Sequence, residues 1–158
     1  MITNTIKTSD IFRDLDPAEL QLVQSKAIKT VYLKDEVIFQ EGDAGEQMYM
    51  VVQGVVEIWK SEGKTLKGSR LARLQEGEIF GEMALFDHKP RSATALAAIE
   101  HETVIYVWNQ RDFSTLVAEN PKIGIKVLKN IIEKISGRLR NANDAIHTLL
   151  RSNQYISL

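Results

Sequence analysis

The chain of 158 residues contains no cysteine, which excludes disulfides, iron-sulfur clusters and cysteine-ligated haem or zinc. An excess of one charge is missing too. With 20 Lys and Arg against 21 Asp and Glu, the formal net charge is -1, so there is no general electrostatic reason to bind nucleic acid or an acidic membrane. The stretch from Lys122 to Arg140 is the local exception to that sum. No apolar run is long enough to cross a bilayer, and Met1 to Asp10 lacks the apolar centre of a signal peptide, so a cytoplasmic protein is expected. Histidine is scarce: His88, His101 and His147 lie far apart, without His-x-His spacing. No Ser-His-Asp set is evident either, so neither a metal centre nor an activated nucleophile is expected. The apolar and charged fractions, 44% and 26%, are those of one ordinary domain with a sizeable core.

The organisation of what is present runs helix, strand, helix. A short helical segment is expected around Ser9 to Phe12, and Asp16-Pro17-Ala18-Glu19 reads as a capping box, with Asp16 as N-cap and Glu19 as its reciprocal partner. From about Ala27, short runs rich in Val, Ile and Tyr follow: Ile28 to Leu33, Glu36 to Phe39, Met48 to Gln53, Val55 to Lys60, Arg70 to Leu74, Ser92 to Ala97 and Thr103 to Trp108. Glycines at 42, 45, 54, 63, 68 and 77 separate them, which suits an antiparallel sandwich or barrel. Val51-Val52-Gln53-Gly54-Val55-Val56 reads as a tight hairpin.

Asn109 is placed as the N-cap of a helix to about Asn120, and Pro121 as the first residue of a longer one. Along that helix Ile125, Leu128, Ile132, Ile135, Leu139, Ala142, Ile146 and Leu149 alternate spacings of 3 and 4, a heptad seam. A second stripe at Val127 and Ile131 can lie on the domain's own strands, leaving the seam for another copy of the helix. Gly137 weakens the helix by about 1 kcal/mol relative to Ala, and any bend is expected there.

The chemistry concentrates in Phe80-Gly81-Glu82-Met83-Ala84-Leu85-Phe86, followed after a short turn by Pro90-Arg91-Ser92-Ala93-Thr94. Glycine lets the backbone approach a ligand, and the first amides of a helix have no partners within it and can face an anion. Arg91 can pair with that anion through its planar fork. Glu82 would repel a phosphate, but it can accept hydrogen bonds from a neutral hydroxyl pair such as a ribose edge. A nucleotide held by both sugar and phosphate is implied.

Residues 80 to 94 resemble the phosphate-binding cassette of the cyclic nucleotide-binding domain family: Phe-Gly-Glu, an apolar residue, Ala-Leu, a turn, then Pro-Arg, a small residue, Ala and Thr. The resemblance extends upstream through Gly42-Asp43, Met48 to Gly54 and Glu76 to Phe80, and with the terminal helices covers nearly the whole chain. It implies one mainly β domain over 1-158. Its fold would be an antiparallel β-roll or jelly-roll barrel (a double-stranded β-helix), with N-terminal helices at 8-26 and the roll at 27-108. The short cassette helix lies in 80-94 and the C-terminal helices in 109-150.

The resemblance also implies roles. Arg91, Ser92, Ala93 and Ala84 would hold the phosphate, and Gly81 and Glu82 the ribose. Ile58, Leu71 and Leu74 would form an apolar wall against the purine. Ala142 stands where the activator branch of the family carries a hydroxyl residue, with Asn143 beside it as the remaining base contact. Ser92 can also favour guanine by bonding its exocyclic amine, but the activator branch has serine there with adenine, so cyclic AMP is favoured over cyclic GMP. No metal is implied. The expected output is movement of the C-terminal helix, with a homodimer through Leu128, Ile132, Ile135, Leu139, Ala142 and Ile146, and an unidentified effector protein.

Three rivals are set against this reading. Metal-dependent cupins share a similar small barrel but need clustered ligands. A DNA-binding regulator would need a helix-turn-helix after the long helix, and Arg151 to Leu158 is too short for one; the chain is then a stand-alone sensor or the sensor part of a longer regulator or channel. A native-looking Met1 argues against an N-terminal truncation. A ligand-free interaction module of the same fold is disfavoured by the presence of both Glu82 and Arg91.

Overall fold

The computed structural model describes residues 4-63, 65-87 and 89-156, so Met1 and His88 lie outside the described residues. Helix α1 (Asn4–Thr8) precedes a single 3-10 turn at Asp10–Phe12, and α2 spans Pro17–Ser25. The capping box at its start is formed: Glu19 N–H donates to Asp16 Oδ1 at 2.9 Å, and Asp16 N–H to Glu19 Oε2 at 2.8 Å.

Among the described residues eight strands follow: β1 (Ile28–Tyr32), β2 (Val37–Phe39), β3 (Gln47–Gln53), β4 (Val56–Glu62), β5 (Thr65–Leu74), β6 (Ile79–Phe80), β7 (Thr94–Ala97) and β8 (Thr103–Asn109). They form two four-stranded antiparallel sheets, ordered β1-β8-β3-β6 and β2-β7-β4-β5. The pair is an open roll rather than a closed barrel. Between β6 and β7 lies α3 (Ala84–Asp87), and α4 (Gln110–Glu119) and α5 (Pro121–Ile156) close the chain.

The expected hairpin at 51-56 is not one. Strand β3 belongs to the first sheet and β4 to the second, so the chain crosses between sheets there. Gly54 makes the crossing at φ +95, and a Cβ on it would stand 2.8 Å from Thr103 Oγ1. The hairpin of this region is β4–β5, turning at Gly63. Gly68 lies inside β5 rather than between strands, against the Lys60 carbonyl, where the β4–β5 register shifts.

Two apolar clusters divide the core. One packs Ile6, Ile11, Phe12 and Val23 against Trp108, Phe113, Leu116, Val127 and Ile131, tying the terminal helices to the first sheet. The other, with Tyr49, Val51, Val56, Leu74, Phe80 and Ile105, lies between the sheets. Asn109 caps α4 by accepting the Asp112 amide at 2.9 Å.

Helix α5 runs as one α-helix through Gly137, where a Cβ would meet nothing within 4 Å. Val127 and Ile131 are buried on the roll, whereas Ile125, Ile132, Leu139, Ile146 and Leu149 are exposed. Ile135 departs from the exposed seam, since it is half-buried against the core. Residues 141-150 are exposed on every face. Near its start the helix is pinned by Lys126 Nζ, which donates to both oxygens of Glu19 at 2.9 and 2.7 Å.

Candidate functional site

The cassette begins where β6 ends. Phe80 stacks on Tyr49 with ring centroids 5.0 Å apart, fixing the strand's exit, and Gly81 then turns at φ +69. A Cβ on Gly81 would lie 2.7 Å from Arg91 Nη1, so glycine is needed for both conformation and space. This close approach lets Arg91 Nη1 donate to the Gly81 carbonyl at 3.1 Å, while Nη2 donates to the Gln47 carbonyl at 2.8 Å and contacts the Tyr49 hydroxyl at 3.5 Å. The guanidinium also sits over the Phe39 ring, 4.3 Å from its centroid. Burial holds the Tyr49 phenol above its ordinary pKa, and the charge of Arg91 opposes that shift.

Arg91 is only 6% exposed, and its Nε is one of two buried side-chain polar atoms left without a partner among the described residues. The backbone around it is held from both sides: Arg91 N–H donates to the Asp43 carbonyl and Gly42 N–H to the Arg91 carbonyl, each at 2.8 Å. Gly42 and Asp43 are the brace of the arginine.

Glu82 is 3% exposed, and its partner comes from α5. Arg138 Nη1 donates to Glu82 Oε1 at 2.6 Å, and Nη2 to the Ile79 carbonyl at 2.8 Å. Nothing in the sequence alone singles out Arg138 for this contact. Its position inside the basic stretch 122-140 was the available signal, but no local pattern marks which of those cations turns inward.

Between these charges lies a cavity of about 440 Å³, within the usual size range of small-molecule sites. Ile58, Leu71 and Leu74, the expected wall, all line it together with Ala72, Phe39 and Met83. Gly81, Glu82, Arg91, Ser92 and Ala93 line it as well. Ala84 opens α3 beside them. Asn143 does not line it; α5 contributes Arg138 instead, and Asn143 is exposed farther along the helix. Thr94 faces away, its hydroxyl accepting from Glu41 N–H at 3.0 Å. Among the described residues no three His, Asp or Glu side chains gather as a metal site would require. Nor is any helix among them long and apolar enough to cross a membrane.

Residues 29-120 match the sequence profile of the cyclic nucleotide-binding domain family. The chain belongs to that family. Relatives of this cyclic nucleotide-binding domain include the cyclic AMP receptor protein of Thermus thermophilus, 32% identical over 140 residues, covering 87% of this chain and 61% of the relative. Another is a cAMP-dependent protein kinase regulatory subunit of Candida albicans, 28% identical over 151 residues, covering 89% of this chain and 31% of the relative. The chain thus spans less than two thirds of the length of either.

Solved structures agree on the fold. The catabolite activator protein of Thermus thermophilus superposes with a TM-score of 0.77 at 31% identity, over 89% of this chain and 63% of that one. A cyclic nucleotide-binding domain from Methylobacillus flagellatus superposes with a TM-score of 0.78 at 28% identity, over 92% and 80%. The apolar wall, the buried arginine and the buried carboxylate of this cyclic nucleotide-binding domain therefore lie in a roll of the same build. Arranged around one cavity, they can desolvate a flat ring, meet a single negative charge and accept a hydroxyl.

Proposed function

We propose that the chain is a regulatory sensor domain that binds a 3',5'-cyclic nucleotide and passes the event to its C-terminal helix, without catalysing a reaction. One observation carries the reading: Arg91 is buried, braced on both sides, and keeps an Nε donor with no protein partner among the described residues. A buried cationic donor left unmatched is costly, and an anion in the adjoining cavity is what removes the cost. The phosphodiester supplies that anion, shared between Arg91, the Ser92 hydroxyl, the Ala93 amide and the first amides of α3 at Ala84. Glu82, at the far side of Gly81, accepts the ribose 2'-hydroxyl.

The base then lies on Ile58, Leu71 and Leu74. Cyclic AMP is favoured over cyclic GMP, which Ser92 leaves open as the alternative. This preference is supported by the names of the relatives, a cyclic AMP receptor protein and a cAMP-dependent kinase regulatory subunit. The setting is cytoplasmic, and the effector is a separate protein or a further part of a longer chain.

The output follows from Arg138. It holds Glu82, so an arriving 2'-hydroxyl competes for or shares that carboxylate and shifts α5 between two positions. Asn143 contributes to the base only in the position that draws α5 across the cavity mouth. The exposed seam of Ile125, Ile132, Leu139, Ala142 and Ile146, with Leu128 and Ile135 half-buried beside it, is assigned to a homodimer.

Calorimetric titration with cyclic AMP and cyclic GMP tests the ligand. Saturable binding of both with tighter cyclic AMP is expected, and binding of neither overturns the reading. Sedimentation of Ile132→Lys, which places a charge on the exposed seam and leaves the roll's core intact, is expected to give monomers where the unaltered chain gives dimers.

A further inference from the structure

One polar network runs behind the site, reaching the cavity lining only through Ser92. Lys60, on β4, pairs with the Glu41 carboxylate and donates from Nζ to the Ser92 carbonyl at 3.0 Å. Glu41 is fixed in turn: its Oε2 accepts the Ser61 amide at 2.9 Å, and its own N–H donates to Thr94 Oγ1 at 3.0 Å. The bond from Lys60 holds the Glu41 carboxyl below its ordinary pKa. The segment from Glu41 to Asp43 thus runs alongside Arg91 to Thr94, bonded to the backbone of Arg91 and to the side chain of Thr94.

We propose that Lys60, held by Glu41, is a positioning residue for the anion: by pinning the Ser92 carbonyl it aims the Ala93 amide into the cavity. Ser92 and Ala93 line the cavity and Lys60 does not, so a carbonyl turned to Lys60 is turned away from the ligand space. Across the trans peptide the next N–H points the opposite way, which is inward. Without Lys60 that peptide plane is free to rotate, and an amide donor that should meet a phosphate oxygen is lost for part of the time. Lys60 acts through the peptide alone, because its ammonium is occupied by two protein acceptors.

This inference rests on the cyclic nucleotide reading above, and the test separates the two. Cyclic AMP is titrated into the unaltered chain, Lys60→Met, Lys60→Arg and Glu41→Gln by calorimetry, and the Ala93 amide is followed in proton-nitrogen correlation spectra. Lys60→Met keeps a stem of similar reach and removes the donor. It is expected to weaken binding about tenfold, the worth of one hydrogen bond to a charged group, and to abolish most of the ligand-induced shift at Ala93. Lys60→Arg is expected to restore both. Glu41→Gln keeps an acceptor for Ser61 but loses the charge, and is expected to fall between, at about threefold.

Binding by Lys60→Met within about twofold of the unaltered chain, or an undiminished Ala93 shift in that variant, overturns the positioning role. If Lys60→Met loses its fold, the same two readouts on Glu41→Gln decide. Failure of the unaltered chain to bind any cyclic nucleotide overturns the ligand reading itself, and the positioning role with it.

Discussion

At one end of the cavity Arg91 is held by the carbonyls of Gly81 and Gln47 and by the ring of Phe39, all belonging to the roll. At the other end Glu82 is held by Arg138, 56 residues away in the chain and carried on α5. Both charges are nearly inaccessible to water, yet one is fixed by the roll and the other by a side chain on α5. The difference separates two tasks that a sensor must combine. A group braced by the roll supplies affinity without altering the structure around it. A group whose partner rides on a helix links occupancy to that helix, because a ligand shifts an equilibrium only by its differential affinity for the two arrangements.

The sharpest way to break this comparison is at the braced end. Arg91→Ala removes the charge-assisted contact and leaves the phosphate without its cation, so cyclic nucleotide binding is expected to weaken by on the order of 3 kcal/mol or more. The helix should stay in place, with hydrogen exchange along α5 unchanged in the ligand-free protein. Near-normal affinity in calorimetry would remove Arg91 from the site.

At the bridged end the expectation is reversed. Arg138→Met should change affinity by only about 1 kcal/mol, because Glu82 remains to accept the 2'-hydroxyl while a half-exposed partner is lost. It should, however, erase the ligand's effect on amide exchange in α5. A loss of affinity equal to that of Arg91→Ala would show that both ends do the same work.

What the sequence made legible follows the same division. The cassette could be read because its parts are contiguous: Gly81, Glu82, Arg91, Ser92 and Ala93 lie within thirteen consecutive positions, 81-93, and the fold has only to bend that segment. The capping box at Asp16 and Glu19 and the N-cap at Asn109 are local in the same sense. The contacts of Arg138 with Glu82, and of Lys60 with Ser92, depend on which faces of distant elements meet, and residue spacing carries no record of that. The misread hairpin has a related cause. A glycine between two β-branched runs looks the same whether the chain folds back within a sheet or steps across to the facing one, and here the pairing of β3 with β8 and of β4 with β5 and β7 decided the matter. The seam on α5 was legible as a pattern, but Ile135 turns to the roll because it lies one turn beyond Ile131, whose burial anchors that face.

For the proposed movement of α5, the bond between Glu19 and Lys126 is the fulcrum. The same carboxylate completes the capping box of α2, so the early turns of the long helix are tied to the N-terminal corner of the molecule. Lys126 to Arg138 spans about 18 Å of helix, and Lys126 to Leu150 about 36 Å, at the rise of an α-helix. A tilt about that corner which moves Arg138 by a given distance therefore carries Leu150 about twice as far. In the proposed output the overhang beyond the roll is the long arm of a lever whose short arm is the grip on Glu82, an arrangement that would magnify a small adjustment beside a sugar hydroxyl.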